Sequence, residues 1–304
     1  MSYQTLIDAA ALKELLGRGR RATAGLAIID CRFDLGVPQA GRRLYLSGHI
    51  PGARYADLNE DLSAPATPET GRHPLPHPAR FAATLARLGV GRGAQVVAYD
   101  SANGSFAARL WWMLRAWGHI EVAVLDGGYP AWTAAGGATA EGDEPAAGDE
   151  PAGGEEPTAA DAGVRPAPAI EAWPVVTTAD VGQLRLDPRR LLLDARAPER
   201  YAGSVEPIDA VAGHVPGAVN HPFSLNLATD GRFLSAAELR RRWQSRLGGH
   251  EAGAVVAMCG SGVTACHNLL SLEVAGFPGA KLYAGSWSEW IRDPHRPIAR
   301  GDQP

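Results

Sequence analysis

Cysteine is scarce in this chain. Three residues in 304, Cys31, Cys259 and Cys266, are an odd and sparse set that excludes a disulfide framework and suits a reducing compartment. No C-x2-C pair occurs among them, so their spacing does not suggest a structural zinc site. Long apolar runs are also missing: none approaches the ~20 residues needed to cross a bilayer. The first residues, Met1 to Asp8, lack the basic and apolar segments of a secretory signal. The expectation is a cytoplasmic protein without membrane contact. Positive charge is in short supply too, the formal net charge being −4, which is too weak an electrostatic footprint for a nucleic-acid partner.

That charge is unevenly placed. Between Gly136 and Pro168 eight acids stand against Arg165 alone, a net of −7, so the remainder of the chain carries +3. This stretch is rich in Ala, Gly and Pro and has almost no large apolar side chain, so it cannot bury enough surface to offset the entropy of ordering. It reads as a flexible linker over 136–169, dividing the chain into an N-terminal domain, 1–135, and a C-terminal domain, 170–304. The mildly cationic remainder suits a small anionic substrate.

The two parts repeat each other. Ile28-Ile29-Asp30-Cys31-Arg32 answers Leu192-Leu193-Asp194-Ala195-Arg196, and Gly48-His49-Ile50-Pro51-Gly52-Ala53 answers Gly213-His214-Val215-Pro216-Gly217-Ala218. Val96 to Asp100 answers Val255 to Cys259, and Gly127-Gly128-Tyr129-Pro130-Ala131-Trp132 answers Gly285-Ser286-Trp287-Ser288-Glu289-Trp290. The offset drifts slowly, as small loop deletions in a duplicated domain require. Within each copy, short aliphatic runs (26–30, 95–99, 122–125; 191–194, 254–258, 280–283) predict strands. Apolar spacings of three and four (78–88, 106–117; 235–247, 264–275) predict helices. Ser235 with Glu238 three residues on is a helix-start signal. This alternation implies an α/β fold in which each copy is a mostly parallel sheet with helices on both faces.

The sharpest chemical feature is Cys259-Gly260-Ser261-Gly262-Val263-Thr264-Ala265, which follows a strand and opens a helix. Ligands of open α/β sheets bind beyond the carboxyl ends of the strands. There a thiol faces backbone N–H groups and a helix N-terminus, both of which stabilise negative charge on sulfur. A buried cysteine is more often a small hydrophobe, but a strand end entering a glycine turn rarely needs sulfur for packing. A cysteine phosphatase would need Arg at the end of C-x5-R to clamp a phosphoryl group; that position is Ala265. Cys266, on the following helix, reads as core. The first copy carries Asp100 in place of Cys259 and is therefore catalytically silent.

On these motifs the chain resembles the rhodanese superfamily, and in particular its two-domain thiosulfate and 3-mercaptopyruvate sulfurtransferases. The resemblance spans both copies and omits only the acidic stretch. The loop CGSGVTA is similar to that of the 3-mercaptopyruvate enzymes, whereas the thiosulfate enzymes place cations at the positions of Gly260 and Ser261. The resemblance implies two rhodanese-like domains packed on each other and a sulfurtransferase with Cys259 as catalytic residue. Gly260, Ser261, Gly262, Val263, Thr264 and Ala265 are implied to cradle a persulfide, with the Ser261 and Thr264 side chains alongside. Arg200 and His73 are implied to bind substrate, with Asp61 as the acid orienting His73. Arg196 reads instead as a salt-bridge partner of Asp194. His49 and His214, present in both copies, read as structural, and Trp132 and Trp290 as core. One departure stands out: the second carboxylate-binding Arg of the 3-mercaptopyruvate enzymes falls on Ile208. Expected are a small anionic sulfur donor (3-mercaptopyruvate, with thiosulfate as the alternative), a thiol acceptor such as thioredoxin or cyanide, and no metal or organic cofactor. A non-catalytic sulfur carrier on the same fold is the alternative of another class.

Overall fold

The computed structural model describes residues 2–17, 25–101, 103–144, 163, 168–169 and 172–304. The chain divides into two compact units, with one boundary just past the expected linker and a second segment exchanged between the halves. One unit comprises Met1–Ser63 and Pro76–Trp173; the other comprises Ala64–Leu75 and Pro174–Pro304. Twelve residues from the first half of the sequence thus belong to the second unit. Trp173, expected in the C-terminal domain, belongs to the first, where it packs edge-on against Phe81, Trp112 and Trp117. Each such aromatic pair adds roughly 0.5–1.5 kcal/mol beyond its area burial.

The first unit holds β1 (Leu6–Ile7), α1 (Ala9–Gly17), β2 (Leu26–Asp30), α2 (Gln39–Ser47), β3 (Ala53–Tyr55), α3 (Pro78–Arg87), β4 (Gln95–Tyr99), α4 (Ala107–Ala116), β5 (Val122–Leu125) and α5 (Gly128–Ala134). Its sheet has the order β1-β5-β4-β2-β3, every pairing parallel. Strands β4 and β5 are apolar and buried almost throughout, because helices cover a parallel sheet on both faces.

Residues 136–144, expected in the linker, are tied to this unit. His49 and Ala140 exchange backbone hydrogen bonds, Trp132 Nε1 donates to the Ala138 carbonyl, and Gly52 N–H donates to Glu144. Residues 145–162 and 164–167 of the expected linker lie outside the described residues.

The second unit holds α6 (Thr178–Leu184), β6 (Leu191–Asp194), α7 (Pro198–Ala202), β7 (Ala218–Asn220), α8 (Ala236–Leu247), β8 (Val255–Met258), α9 (Thr264–Val274), β9 (Lys281–Leu282) and α10 (Ser286–Trp290). Its parallel sheet runs β7-β6-β8-β9, and a single parallel bridge, Val175 to Leu282, stands where the first unit has its outer strand β1. Ser235 caps α8 by accepting from Glu238 N–H, as the sequence predicts, and Thr177 with Asp180 forms a reciprocal capping box on α6.

The repeated motifs do the same structural work twice. Arg32 pairs with Asp30 and donates to the Gly48 carbonyl at 2.6 Å; Arg196 pairs with Asp194 and donates to the Gly213 carbonyl at 2.7 Å. Each guanidinium therefore fastens a strand end to the glycine-histidine turn. Both histidines of those turns are wholly buried and stack on a tyrosine, His49 on Tyr45 and His214 on Tyr201.

Candidate active site

In the second unit, β8 ends at Met258 and α9 starts at Thr264, leaving a short loop that must reverse within five residues. Gly262 makes the reversal at φ +76°, and a Cβ there would stand 2.4 Å from the Ala284 carbonyl oxygen, so only glycine fits. The reversal aims two amides at the sulfur of Cys259: Gly262 N–H at 3.1 Å and Ser261 N–H at 3.5 Å. Backbone donors fixed by the fold favour an anion on that sulfur without having to reorganise.

A second turn clips this loop from below. Trp287 N–H donates to the Cys259 carbonyl and Ser288 N–H to the Gly260 carbonyl, at 3.0 and 2.9 Å. Ser286 Oγ accepts from Cys259 N–H at 3.1 Å and donates to the Tyr283 carbonyl at 2.9 Å. Among the described residues, Ser286 alone combines a side chain with a positive φ, +54°. A non-glycine residue in that region costs about 1 kcal/mol or more, so the hydroxyl between Cys259 and Tyr283 offsets a real strain.

Residues 64–75 lie on the same clip. Gly71 N–H donates to Glu289, Arg72 N–H to Ser288 Oγ at 3.0 Å, and Arg292 Nε to the Thr70 carbonyl at 3.1 Å. The backbones approach so closely that a Cβ on Gly71 would sit 2.5 Å from the Gly285 carbonyl oxygen. This lacing places His73 Nδ1 2.7 Å from Ser261 Oγ, with both side chains buried.

A cluster of charges completes the site at the carboxyl end of β6. Arg200 forks onto Glu206 through Nε and Nη2, at 3.0 and 2.8 Å, and Nη2 also reaches Asp209 at 2.9 Å. Arg72 Nη1 pairs with the other oxygen of Asp209. Arg196 reaches Glu206 at 3.4 Å while remaining paired with Asp194. Burial opposes ionisation of Glu206, yet the hydrogen bonds from Arg200 and from the Asp209 and Ile208 amides hold its carboxyl below the usual range. Burial dominates at Asp209 and raises its pKa despite Arg72.

Of the residues singled out from the sequence, Cys259, Gly260, Ser261, Gly262, His73 and Arg200 meet in this one place. Val263 and Thr264 lead into α9, where Ala265 and Cys266 are packed in the core. The Ser261 hydroxyl turns to His73, and that of Thr264 makes no hydrogen bond among the described residues. Asp61, expected beside His73, belongs to the first unit, where it pairs with Arg87 on α3 and accepts from Asp57 N–H at 2.8 Å. Ile208 contributes an amide to Glu206, and its exposed side chain supplies no charge. Arg72, Glu206, Asp209 and Ser286 were not anticipated as site residues. The adjacency of Arg72 to His73 was the only local signal available for any of them.

Comparison with known proteins agrees with this geometry. The family model described as a rhodanese-like domain matches residues 8–135 and 177–293. A probable 3-mercaptopyruvate sulfurtransferase of Pseudomonas aeruginosa is 47% identical over 285 residues, covering 93% of this chain and 95% of that protein. A putative thiosulfate sulfurtransferase, SseB, of Mycobacterium tuberculosis is 40% identical and covers 98% of both. Among solved structures, the 3-mercaptopyruvate sulfurtransferase SseA of Escherichia coli superposes with a TM-score of 0.73 at 32% identity, covering 94% of this chain and all of that one. With the duplicated parallel sheets and the cysteine loop already in view, these matches establish that the chain belongs to the rhodanese family of sulfurtransferases.

Proposed function

We propose that this sulfurtransferase takes sulfur from 3-mercaptopyruvate onto Cys259 as a persulfide and passes it to a thiol or cyanide. The observation that carries this reading is the Cys259 sulfur facing two loop amides, with the Ser261–His73 hydrogen bond beside it. The donor's carboxylate meets the arginine cluster at Gly260.

The Cys259 thiolate attacks the donor sulfur, and an S–S bond forms as the donor's C–S bond breaks. The bonding pair goes to carbon, giving the enolate of pyruvate. The proton that was on the donor sulfur ends on that carbon, and pyruvate leaves. Ser261 and His73 are placed to carry this proton, the hydroxyl both receiving and giving while the imidazole holds it. The persulfide anion left on Cys259 occupies the space in front of the loop amides. A thiolate acceptor, small or on a protein such as thioredoxin, or cyanide then attacks the outer sulfur and restores the Cys259 thiolate. Two half-reactions sharing one enzyme form give ping-pong kinetics.

The donor is tested by comparing kcat/KM for 3-mercaptopyruvate and thiosulfate with cyanide as acceptor. A thiosulfate preference of about tenfold or more would replace the donor named here. The covalent step is tested by mass spectrometry of donor-treated protein. Cys259 should gain about 32 Da, one sulfur atom, and an unmodified Cys259 in a protein that turns over would reject the persulfide.

A further inference from the structure

The first unit, whose loop carries Asp100 in place of the reactive cysteine, has a cleft of about 340 Å³ that sulfur transfer does not use. Small-molecule sites run from about 300 to 1,000 Å³. Arg42, Arg54 and Arg87 line the cleft with Asp61, Asp143 and Glu144, three charges against three, and all six belong to the first unit.

Four of these charges satisfy one another. Arg42 pairs with Asp143 and lies over the Tyr45 and Tyr55 rings, 5.2 and 5.7 Å from their centroids. Arg87 pairs with Asp61. Arg54 and Glu144 are left over. Arg54 Nη1 donates to the Leu88 carbonyl at 2.9 Å, at the end of α3. Its Nε is buried without a partner, and no carboxylate pairs with it among the described residues. Glu144 Oε1 accepts from Gly52 N–H at 2.8 Å and stands 3.4 Å from His49 Nε2, while Oε2 has no partner there. Burial pulls the Arg54 pKa down further than the nearby Tyr45 and Glu144 restore it, and the charge of Arg87 adds to the fall. Glu144 is thus close enough to act on Arg54 without meeting it.

The fold does not require a cation at this place. Ala53-Arg54-Tyr55 answers Ala218-Val219-Asn220, and the second copy builds the same parallel strand with valine in the same register. A buried guanidinium N–H left unmet is destabilising and is retained where something fills it. One unmet donor set and one unmet acceptor, near but apart, fit a ligand that carries both charges. We propose that this cleft binds a small zwitterion of the α-amino acid class, with its carboxylate on Arg54 and its ammonium on Glu144. A guanidinium reads a planar carboxylate bidentately. Because the lining charges balance, a ligand of zero net charge enters without leaving one in excess. A dianion would have to break the Arg42–Asp143 or Arg87–Asp61 pair to reach a second guanidinium.

The test is calorimetric binding of the twenty α-amino acids to the full-length protein, with inorganic phosphate as the dianion. At least one amino acid should bind with a Kd below about 1 mM, and more tightly than phosphate. Arg54→Gln keeps an N–H donor for the Leu88 carbonyl and should weaken the best binder on the order of 10- to 100-fold. Glu144→Gln should do the same. The methyl ester of that amino acid, which has no carboxylate, should bind weakly and lose nothing further in Arg54→Gln. Its N-acetyl derivative, which has no ammonium, should lose nothing further in Glu144→Gln. Circular dichroism checks folding, and Arg54→Val, the residue of the second copy, serves should Arg54→Gln not fold. The site is overturned if no amino acid binds below about 1 mM or phosphate binds more tightly than all of them. It is equally overturned if Arg54→Gln matches the native protein within about twofold, or if that variant weakens the amino acid and its methyl ester equally. The inference uses no feature of the sulfur-transfer site, so its failure leaves the donor reading untouched.

Discussion

The same turn is built twice in this molecule, and one copy is filled by its own side chain. In the second unit the strand β8 is followed by Cys259, whose sulfur accepts from two loop amides. In the first unit β4 is followed by Asp100, whose carboxylate accepts from the amides of Gly104, Phe106 and Ala107 at 2.9–3.2 Å. The clip beneath is kept: Tyr129 N–H meets the Asp100 carbonyl at 3.0 Å, as Trp287 N–H meets that of Cys259. The left-handed residue in that clip differs, being Gly128 at φ +59° in the first unit and Ser286 at φ +54° in the second. An anion-stabilising loop can therefore serve either as a permanent brace or as a reaction site. The choice turns on which atom ends the strand and on what surrounds it.

The strongest way to break this comparison is to exchange the strand-end residues. Cys259→Ser should lower sulfur transfer by at least about 1,000-fold, because a hydroxyl cannot accept sulfur as a thiolate does. Adding Asp100→Cys to that variant should restore nothing, since the position answering Arg200 in the first copy is Gly36. Recovery of cyanide-dependent turnover in the double variant would show that the loop alone is sufficient. Next in size is the brace itself. Asp100→Ala leaves amides of a buried turn without their carboxylate and should cost roughly 2–4 kcal/mol in chemical denaturation. A loss below about 0.5 kcal/mol would mean that water replaces the side chain easily.

A smaller effect separates the two clips. Ser286→Ala keeps the left-handed backbone and loses the hydroxyl, and should destabilise by about 1–2 kcal/mol. Ser286→Gly relieves the strain and should be close to native in stability, yet lower kcat several-fold by freeing the Cys259 amide. Equal kcat in Ser286→Gly and the native protein would reduce Ser286 to a packing role. The smallest effect is expected at Cys31. Burial, and then the charges of Asp30, Asp100 and Asp61, push its thiol pKa well up, so it stays protonated and inert at neutral pH. Cys31→Ala should keep turnover within about twofold, and donor-treated native protein should carry no extra sulfur there.

Much of this was legible in the sequence because it is local. The strands at 26–30, 95–99, 122–125 and 191–194 appear where the aliphatic runs put them, and the Cys259 loop lies at a strand's carboxyl end as its spacing implied. The paired D-x-R and G-H turns could be read as structural because both copies keep them. What escaped was convergence at long range. Arg72 and Asp209 are 137 residues apart and meet only through the fold. Asp61 likewise pairs with Arg87, 26 residues further along the chain. The short strands β1, β3, β7 and β9 carry too few residues to show a period, and sheet pairing alone defines them. The first nine residues of the acidic stretch fold onto the first unit through backbone pairing that composition does not announce.

The twelve residues 64–75 make the catalytic half dependent on the other half's polypeptide. A chain severed in the acidic stretch would yield a C-terminal piece that owns the sulfur atom but neither the imidazole at 73 nor the guanidinium at 72. The duplicated halves can diverge in sequence, but the second unit cannot be encoded by its own half alone, because residues 64–75 fold with it.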